Sequence, residues 1–103
     1  MHRLIDQRRA EIAALCRRYQ VRRLEVFGSA ARGSDFDAAA SDADFLVSFE
    51  PGSDLPPLEQ FFGLADALRR LLRRPVDLVE SGAVSNPFLR AEIDRAREVV
   101  YAA

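Results

Sequence analysis

Three aspartates have the spacing that would let them share one bound cation. Asp42 and Asp44 stand at the start of an apolar run over residues 45–49, and Asp77 interrupts a second short apolar run. Side chains on a strand alternate between its two faces, so these acids would point away from their apolar neighbours. Three carboxylates that gather on one face of a sheet repel each other unless a cation lies among them. Hard oxygen ligands favour magnesium or manganese.

The second candidate feature is the turn formed by Gly28 and Ser29, which directly follows a predicted strand and opens a short helical stretch. Such a turn presents backbone N–H groups and a hydroxyl to an anion. Gly28 has no Cβ, so a phosphate group can approach the backbone closely. An anion site beside a carboxylate cluster makes chemical sense when a metal ion lies between them. A metal-bridged triphosphate would satisfy both features.

The elements that must position these residues follow from the apolar periodicity and the turn residues. We predict helices over residues 4–19 and 57–73 and a third that starts at Asn86, and strands over residues 21–27, 44–49 and 76–80. Residues 98–101 could extend the last helix or form an edge strand, and we favour the strand. This order predicts an α+β domain in which helices pack on one face of a small mixed β-sheet.

Composition narrows the class of protein. The chain has 103 residues, a net charge of −1 and a single cysteine, so we expect one domain over residues 1–103 and no internal disulfide. Neither a signal peptide nor a membrane span is expected, and a cytoplasmic location is the default for such a chain. The near-neutral charge gives no overall attraction to nucleic acid or to anionic membranes. We expect Cys16, on the apolar side of the first helix, to be a core residue.

Two motifs in sequence carry a resemblance to a known family. Residues 28–33, Gly-Ser-Ala-Ala-Arg-Gly, are followed by Ser-Asp-Ala-Asp and a hydrophobic strand at residues 41–47. This order resembles the signature of the DNA polymerase beta-like nucleotidyltransferases, and the small size is similar to the minimal nucleotidyltransferases (MNT). Residues 75–79 look like that family's third-carboxylate strand, and residues 86–101 like its C-terminal segment. Seven residues separate Gly33 from Ser41, and we expect this longer loop at the surface.

The resemblance implies a nucleotidyltransferase fold like the polymerase beta palm, and a reaction. Asp42 and Asp44 would ligate two magnesium ions, with manganese as an alternative. Asp77 would complete the metal site and help to deprotonate an attacking hydroxyl. The attack on the α-phosphate of a nucleoside triphosphate, most simply ATP, would transfer a nucleoside monophosphate and release pyrophosphate. Without the resemblance, Asp42 and Asp44 could be acids at the end of a loop, and Asp77 could be a surface residue of an edge strand.

The phosphate-binding residues implied by the resemblance are Gly28 and Ser29, which would contact the β- and γ-phosphates, and Arg32, which would add positive charge. Ser29 could instead serve only as a helix N-cap, a role that is compatible with phosphate binding. Arg32 could be a solvated or structural arginine. A second Asp-x-Asp pair, Asp35 and Asp37, precedes no hydrophobic strand, so we interpret it as loop acids.

The resemblance also implies a partner. A chain of this size has no room for an acceptor domain, so the acceptor site is expected to come from a partner or from a second copy in a homo-oligomer. In minimal nucleotidyltransferases the partner is typically a HEPN-domain protein, an RNase toxin, and the nucleotidyltransferase is its antitoxin, in some cases by adenylylating (AMPylating) a tyrosine. The alternative is a non-catalytic module that neutralises its partner by binding alone. Direct nucleic-acid binding is not expected, because no aromatic residues interleave with the arginine pairs at residues 17–18, 22–23, 69–70 and 73–74.

Overall fold

A four-stranded mixed sheet organises the described part of the chain, residues 3–28 and 42–103 of a computed structural model. Its strands are β1 (Val21–Phe27), β2 (Ala43–Phe49), β3 (Val76–Glu80) and β4 (Glu98–Ala102). Their order in the sheet is β3-β2-β1-β4, with β1 antiparallel to both of its neighbours and β2 parallel to β3. The predicted α+β fold with a small mixed sheet is confirmed, and the last segment is a strand as we favoured.

The helices are α1 (Arg3–Gln7), α2 (Arg9–Arg18), α3 (Pro57–Leu72) and α4 (Pro87–Ala96), with one turn of 3-10 helix at Ser81–Ala83. A single N-terminal helix was expected, but Arg8 interrupts it with φ −103° and ψ 11°. The predicted cap of the last helix is present, because the Asn86 side chain accepts hydrogen bonds from the backbone N–H groups of Phe88 and Leu89 at 2.9 and 3.4 Å. None of the helices in the described ranges is long and apolar enough to cross a bilayer.

The main core lies between the sheet and helices α1 to α3. Alternate strand residues, among them Leu24, Phe45 and Val47, are fully buried against apolar side chains of these helices, such as Ile12 and Leu64. Burial of each such side chain stabilises the fold by about 1.5–3 kcal/mol. Apolar and polar positions alternate in β2 and β3, so packing this face fixes which side chains point to the other one.

Cys16 lies in this main core, as the helical pattern predicts. Burial raises the pKa of its thiol to about 12, against a smaller opposing effect of the Arg17 charge. Because the thiolate is the reactive form, this side chain behaves as a small apolar residue at neutral pH.

The opposite face of the sheet is partly covered by α4. Phe27 of β1, Leu46 of β2 and Ile93 of α4 form a second cluster, and all three are buried. Because Phe27 and Leu46 alternate with main-core residues, this cluster lies on the far side of the sheet. The expectation that the helices pack on one face therefore needs a correction for α4. Ile93 is the only buried residue of that helix, and it packs against this face with Phe27 and Leu46.

Candidate active site

Asp44 and Asp77 lie directly opposite each other on neighbouring strands. The parallel register of β2 and β3 pairs these two residues, and adjacent strands are about 4.8 Å apart. The parallel arrangement arises because α3 connects the two strands as a crossover helix. Their neighbours Phe45 and Leu78 belong to the main core, so both aspartates belong to the other face.

Asp42 lies one residue before β2 and is held beside the start of β3. The backbone N–H of Ala43 donates a hydrogen bond of 3.0 Å to the carbonyl of Pro75. This bond extends the contact between the two chain segments beyond the strand pairing itself. The structure therefore places Asp42, Asp44 and Asp77 at one end of the sheet.

Burial and the charges of the other two acids both act on the pKa of the Asp44 carboxyl. The pKa of the Asp44 carboxyl is raised from 3.8 to about 6, first by burial and then by the negative charges of Asp77 and Asp42. Asp44 is half-buried, whereas Asp42 and Asp77 are exposed to solvent. Like charges this close make the ionised form of Asp44 unfavourable, and a bound cation would remove that penalty.

Gly28 follows the last residue of β1 and lies against the Asp44 carboxylate. Phe27 pairs with Asp44 across β1 and β2, so the turn after Phe27 begins beside this acid. A Cβ at position 28 would stand 2.7 Å from Asp44 Oδ2, and the backbone φ of Gly28 is +68°. Both the space and the left-handed backbone conformation therefore require glycine here. Ser29 and Arg32, the other predicted phosphate-binding residues, lie outside the described residues.

The donor set of this site fits a hard divalent cation. Carboxylate oxygens are the ligands that magnesium and manganese prefer. The pKa of Asp44 is raised first by burial and then by the charges of Asp77 and Asp42, and a bound cation would favour the ionised carboxylate again. Within residues 3–28 and 42–103, no three acidic, histidine or cysteine side chains converge closely enough to hold a metal ion as they stand. Asp42 and Asp77 are exposed, so rotation about their side-chain torsions is open to them.

A buried acid near the site was not identified from the sequence. Glu25 is 7% exposed and forms ion pairs with Arg23 Nε at 3.2 Å and Arg97 Nε at 3.4 Å. It pairs with Leu46 across the strands, so it lies on the same face as Asp44. The Arg97 contact ties the chain just after α4 to β1. Charged residues inside a strand usually indicate a solvated face, so no sequence signal distinguished Glu25 from its neighbours.

A comparison with protein families decides the identity of this fold. The family described as "Polymerase beta, Nucleotidyltransferase" matches residues 10–103. The chain belongs to this nucleotidyltransferase family. The match includes both strands that carry the three acids and the turn at Gly28, so the predicted family resemblance is confirmed.

Relatives of this nucleotidyltransferase support the same assignment. A Methanocaldococcus jannaschii protein named "Putative protein adenylyltransferase MJ0128" is 39% identical over 77 residues, which cover 75% of this chain and 74% of that protein. A second protein of the same organism with the same type of name, MJ1379, is 30% identical over the same shares of both chains. A solved structure described as a "putative minimal nucleotidyltransferase" is 36% identical, covers 95% of both chains and has a TM-score of 0.72.

More distant solved structures share the nucleotidyltransferase fold. One, described as a toxin–antitoxin with AMP-PNP, is 22% identical with a TM-score of 0.68, over 92% of this chain and 73% of that chain. Another is described as a tri-AMPylated Shewanella oneidensis HEPN toxin in complex with MNT antitoxin. It is 19% identical with a TM-score of 0.65, over 96% of this chain and 73% of that chain.

Proposed function

We propose that this nucleotidyltransferase transfers AMP from ATP to a hydroxyl on a partner protein, in a magnesium-dependent reaction that releases pyrophosphate. The single observation that carries the proposal is the pairing of Asp44 with Asp77 beside Gly28. A carboxylate pair next to a glycine turn suits a triphosphate held through a divalent cation. The names of the Methanocaldococcus jannaschii relatives support AMP and a protein acceptor.

Each described site residue has a distinct role in this proposal. Asp42 and Asp44 would hold the divalent cation, which supplies positive charge to the triphosphate and to the leaving pyrophosphate. Asp77, exposed at the edge strand, would accept the proton of the attacking hydroxyl. The acceptor oxygen then forms a bond to the α-phosphorus as the bond to pyrophosphate breaks. Gly28 would let the triphosphate approach the backbone, and Ser29 and Arg32 stay predicted phosphate contacts.

We also propose that the partner is a HEPN-domain toxin and that this chain is its antitoxin, acting in the cytoplasm as one catalytic domain. The shared fold with chains from toxin–antitoxin complexes supports this assignment.

The test is incubation of the purified chain with labelled ATP, magnesium and the product of the neighbouring gene. Mass spectrometry should find one or more AMP groups on that product, and the double substitution Asp42→Ala and Asp44→Ala should abolish the addition. The matched control is Asp54→Ala, in the loop before α3, which should keep full activity. Absence of any adduct on protein or RNA with all four nucleotides would contradict the proposal.

A non-catalytic antitoxin is the second candidate function. It is favoured by one observation, the large apolar side chains that α3 exposes to solvent at Leu58 and Phe62, since such a surface suits tight binding. The double aspartate substitution separates the two candidates. An enzyme loses its ability to neutralise the toxin, whereas a protein that acts by occupancy keeps it.

A further inference from the structure

An apolar groove lies between the first turns of α3 and the end of β3. Its volume is about 450 Å³, and its lining includes Leu58, Phe61 and Phe62 from the helix and Val79 and Glu80 from the strand. Because β3 is an edge strand of the sheet, the groove opens at the side of the molecule. It is separate from the Gly28 turn, which follows β1 on the other side of β2.

The helix side of this groove exposes large apolar groups that the fold does not need. Leu58 is 73% exposed and Phe62 is 60% exposed, and their spacing places them on one side of α3. The Phe62 ring packs edge-to-face on Phe61, with 5.3 Å between the ring centroids. The buried side of α3 is formed by other residues, such as Leu64 and Leu68. Apolar side chains clustered at a groove mark an interaction site more often than scattered ones do.

Charge narrows the kind of partner that can fill the groove. Glu80 lies in its lining, and Glu59 stands beside Leu58 in the first turn of α3. Neither forms an ion pair with another residue of the described ranges. A second copy of this surface, an anionic lipid or a nucleic acid would bring more negative charge to these two glutamates. A polypeptide with apolar side chains bordered by lysine or arginine would complement both the groove and its acids.

The strand that lines the groove, β3, also carries Asp77, the acid proposed to activate the acceptor. Val79 follows Asp77 by two positions and lies on the same face of β3. Two residues of strand span about 7 Å. Because α3 packs on the main-core face and Asp77 belongs to the other face, a segment seated in the groove would reach the carboxylate pair by passing around the edge strand β3.

We propose that this groove is the docking surface for the acceptor protein, which inserts an apolar segment bordered by basic residues. The proposal rests on the proposed function for the identity of the acceptor. Docking itself requires neither nucleotide nor metal, so it can be measured without the reaction.

The test uses two fluorescein-labelled synthetic peptides with the same leucine spacing, one bordered by lysines and the other by glutamates. Fluorescence anisotropy should show tighter binding of the lysine-bordered peptide to the intact chain without ATP. Phe62→Ser should weaken that binding about tenfold or more, as expected for a central interface residue. Phe88→Ser is the matched control, because Phe88 is 85% exposed on α4 and lies outside the groove, and it should change the affinity less than about twofold.

A charge variant and a nucleotide measurement complete the test. Glu80→Gln should reduce the preference for the lysine-bordered peptide and leave the fold unchanged in thermal denaturation. Equal peptide affinities of Phe62→Ser and the unsubstituted chain, or equal binding of the two peptides, would overturn the proposal. Loss of ATP binding in Phe62→Ser would also overturn it, because the groove would then belong to the nucleotide site. Absence of AMP transfer by a chain that passes the peptide tests would contradict the proposed function and leave the docking surface standing.

Discussion

Replacing Asp44 by asparagine should stabilise the protein at neutral pH when no metal is present. In the folded chain the carboxyl has a pKa of about 6 instead of 3.8, which corresponds to about 3 kcal/mol at 1.36 kcal/mol per pH unit. Asp44 is only half-buried, so solvent screening reduces this figure to about 1–2 kcal/mol. Asparagine has nearly the same shape and no charge, so Asp44→Asn should recover that free energy of unfolding.

The stability gained by Asp44→Asn depends on pH, and the raised pKa of Asp44 sets the direction of this dependence. Below pH 3.8 the Asp44 carboxyl is protonated in both the folded and the unfolded chain, so its ionisation costs nothing. Between 3.8 and about 6 the unfolded chain loses the proton first, and stability falls as pH rises. Above about 6 the full penalty is present. The advantage of Asp44→Asn should therefore be largest above pH 6 and vanish as pH falls below 3.8.

Urea denaturation with a chelator, followed by circular dichroism at about pH 8 and about pH 3.5, measures this difference. With a urea m-value of about 1–3 kcal/mol/M, the midpoint of Asp44→Asn should rise by about 1 M at the higher pH. The matched control, Asp54→Asn in the exposed loop before α3, should leave the midpoint unchanged. A variant no more stable than the parent at about pH 8 would refute the crowding of Asp44 by burial and by its two acidic neighbours.

Three further predictions follow from the same site and from its supporting helix. Gly28→Ala should lower the free energy of unfolding by about 1–2 kcal/mol because residue 28 has a positive φ. It should also abolish AMP transfer because the new Cβ displaces the Asp44 carboxylate, and an active, equally stable variant would contradict this. Magnesium at a hundredfold excess over its dissociation constant should stabilise the parent chain by about 2.7 kcal/mol but should have little effect on Asp44→Asn. Calorimetric melting of both proteins, with magnesium and with chelator, measures this difference. Asn86→Ala should cost about 1 kcal/mol through loss of the helix cap, with AMP transfer unchanged; a change in the transfer rate would mean that α4 helps to form the site.

Much of the site could be predicted because strand alternation and motif order act locally. Phe45 and Leu78 had to face a core, so Asp44 and Asp77 had to face the other way, and the parallel register then placed the two acids opposite each other. Gly28 was singled out from the sequence for its missing Cβ, and its φ of +68° is a second requirement for glycine that the sequence alone did not indicate. The roles of Ser29 and Arg32 stay predictions, because these residues lie outside the described ranges.

Features that depend on long-range packing could not be predicted. The helical pattern places Ile93 on the apolar side of α4 but does not indicate which face of the sheet that side covers. In the structure, Ile93 packs on the face opposite the main core. The ion pair of Glu25 with Arg97 joins β1 to the chain just after α4, far along the sequence. The interruption at Arg8 has no glycine or proline to announce it. In each case tertiary contacts decide what local sequence leaves open.

The pairing of β1 with β4 has a consequence for the biosynthesis of the protein. The strand β1 (Val21–Phe27) is translated long before one of its two neighbours in the sheet, β4 (Glu98–Ala102). A ribosome adds about 5–20 residues per second, so β1 spends several seconds with one edge uncovered. During that time the nascent chain exposes an apolar strand edge, and chaperone binding or early aggregation should be most sensitive to substitutions in β1.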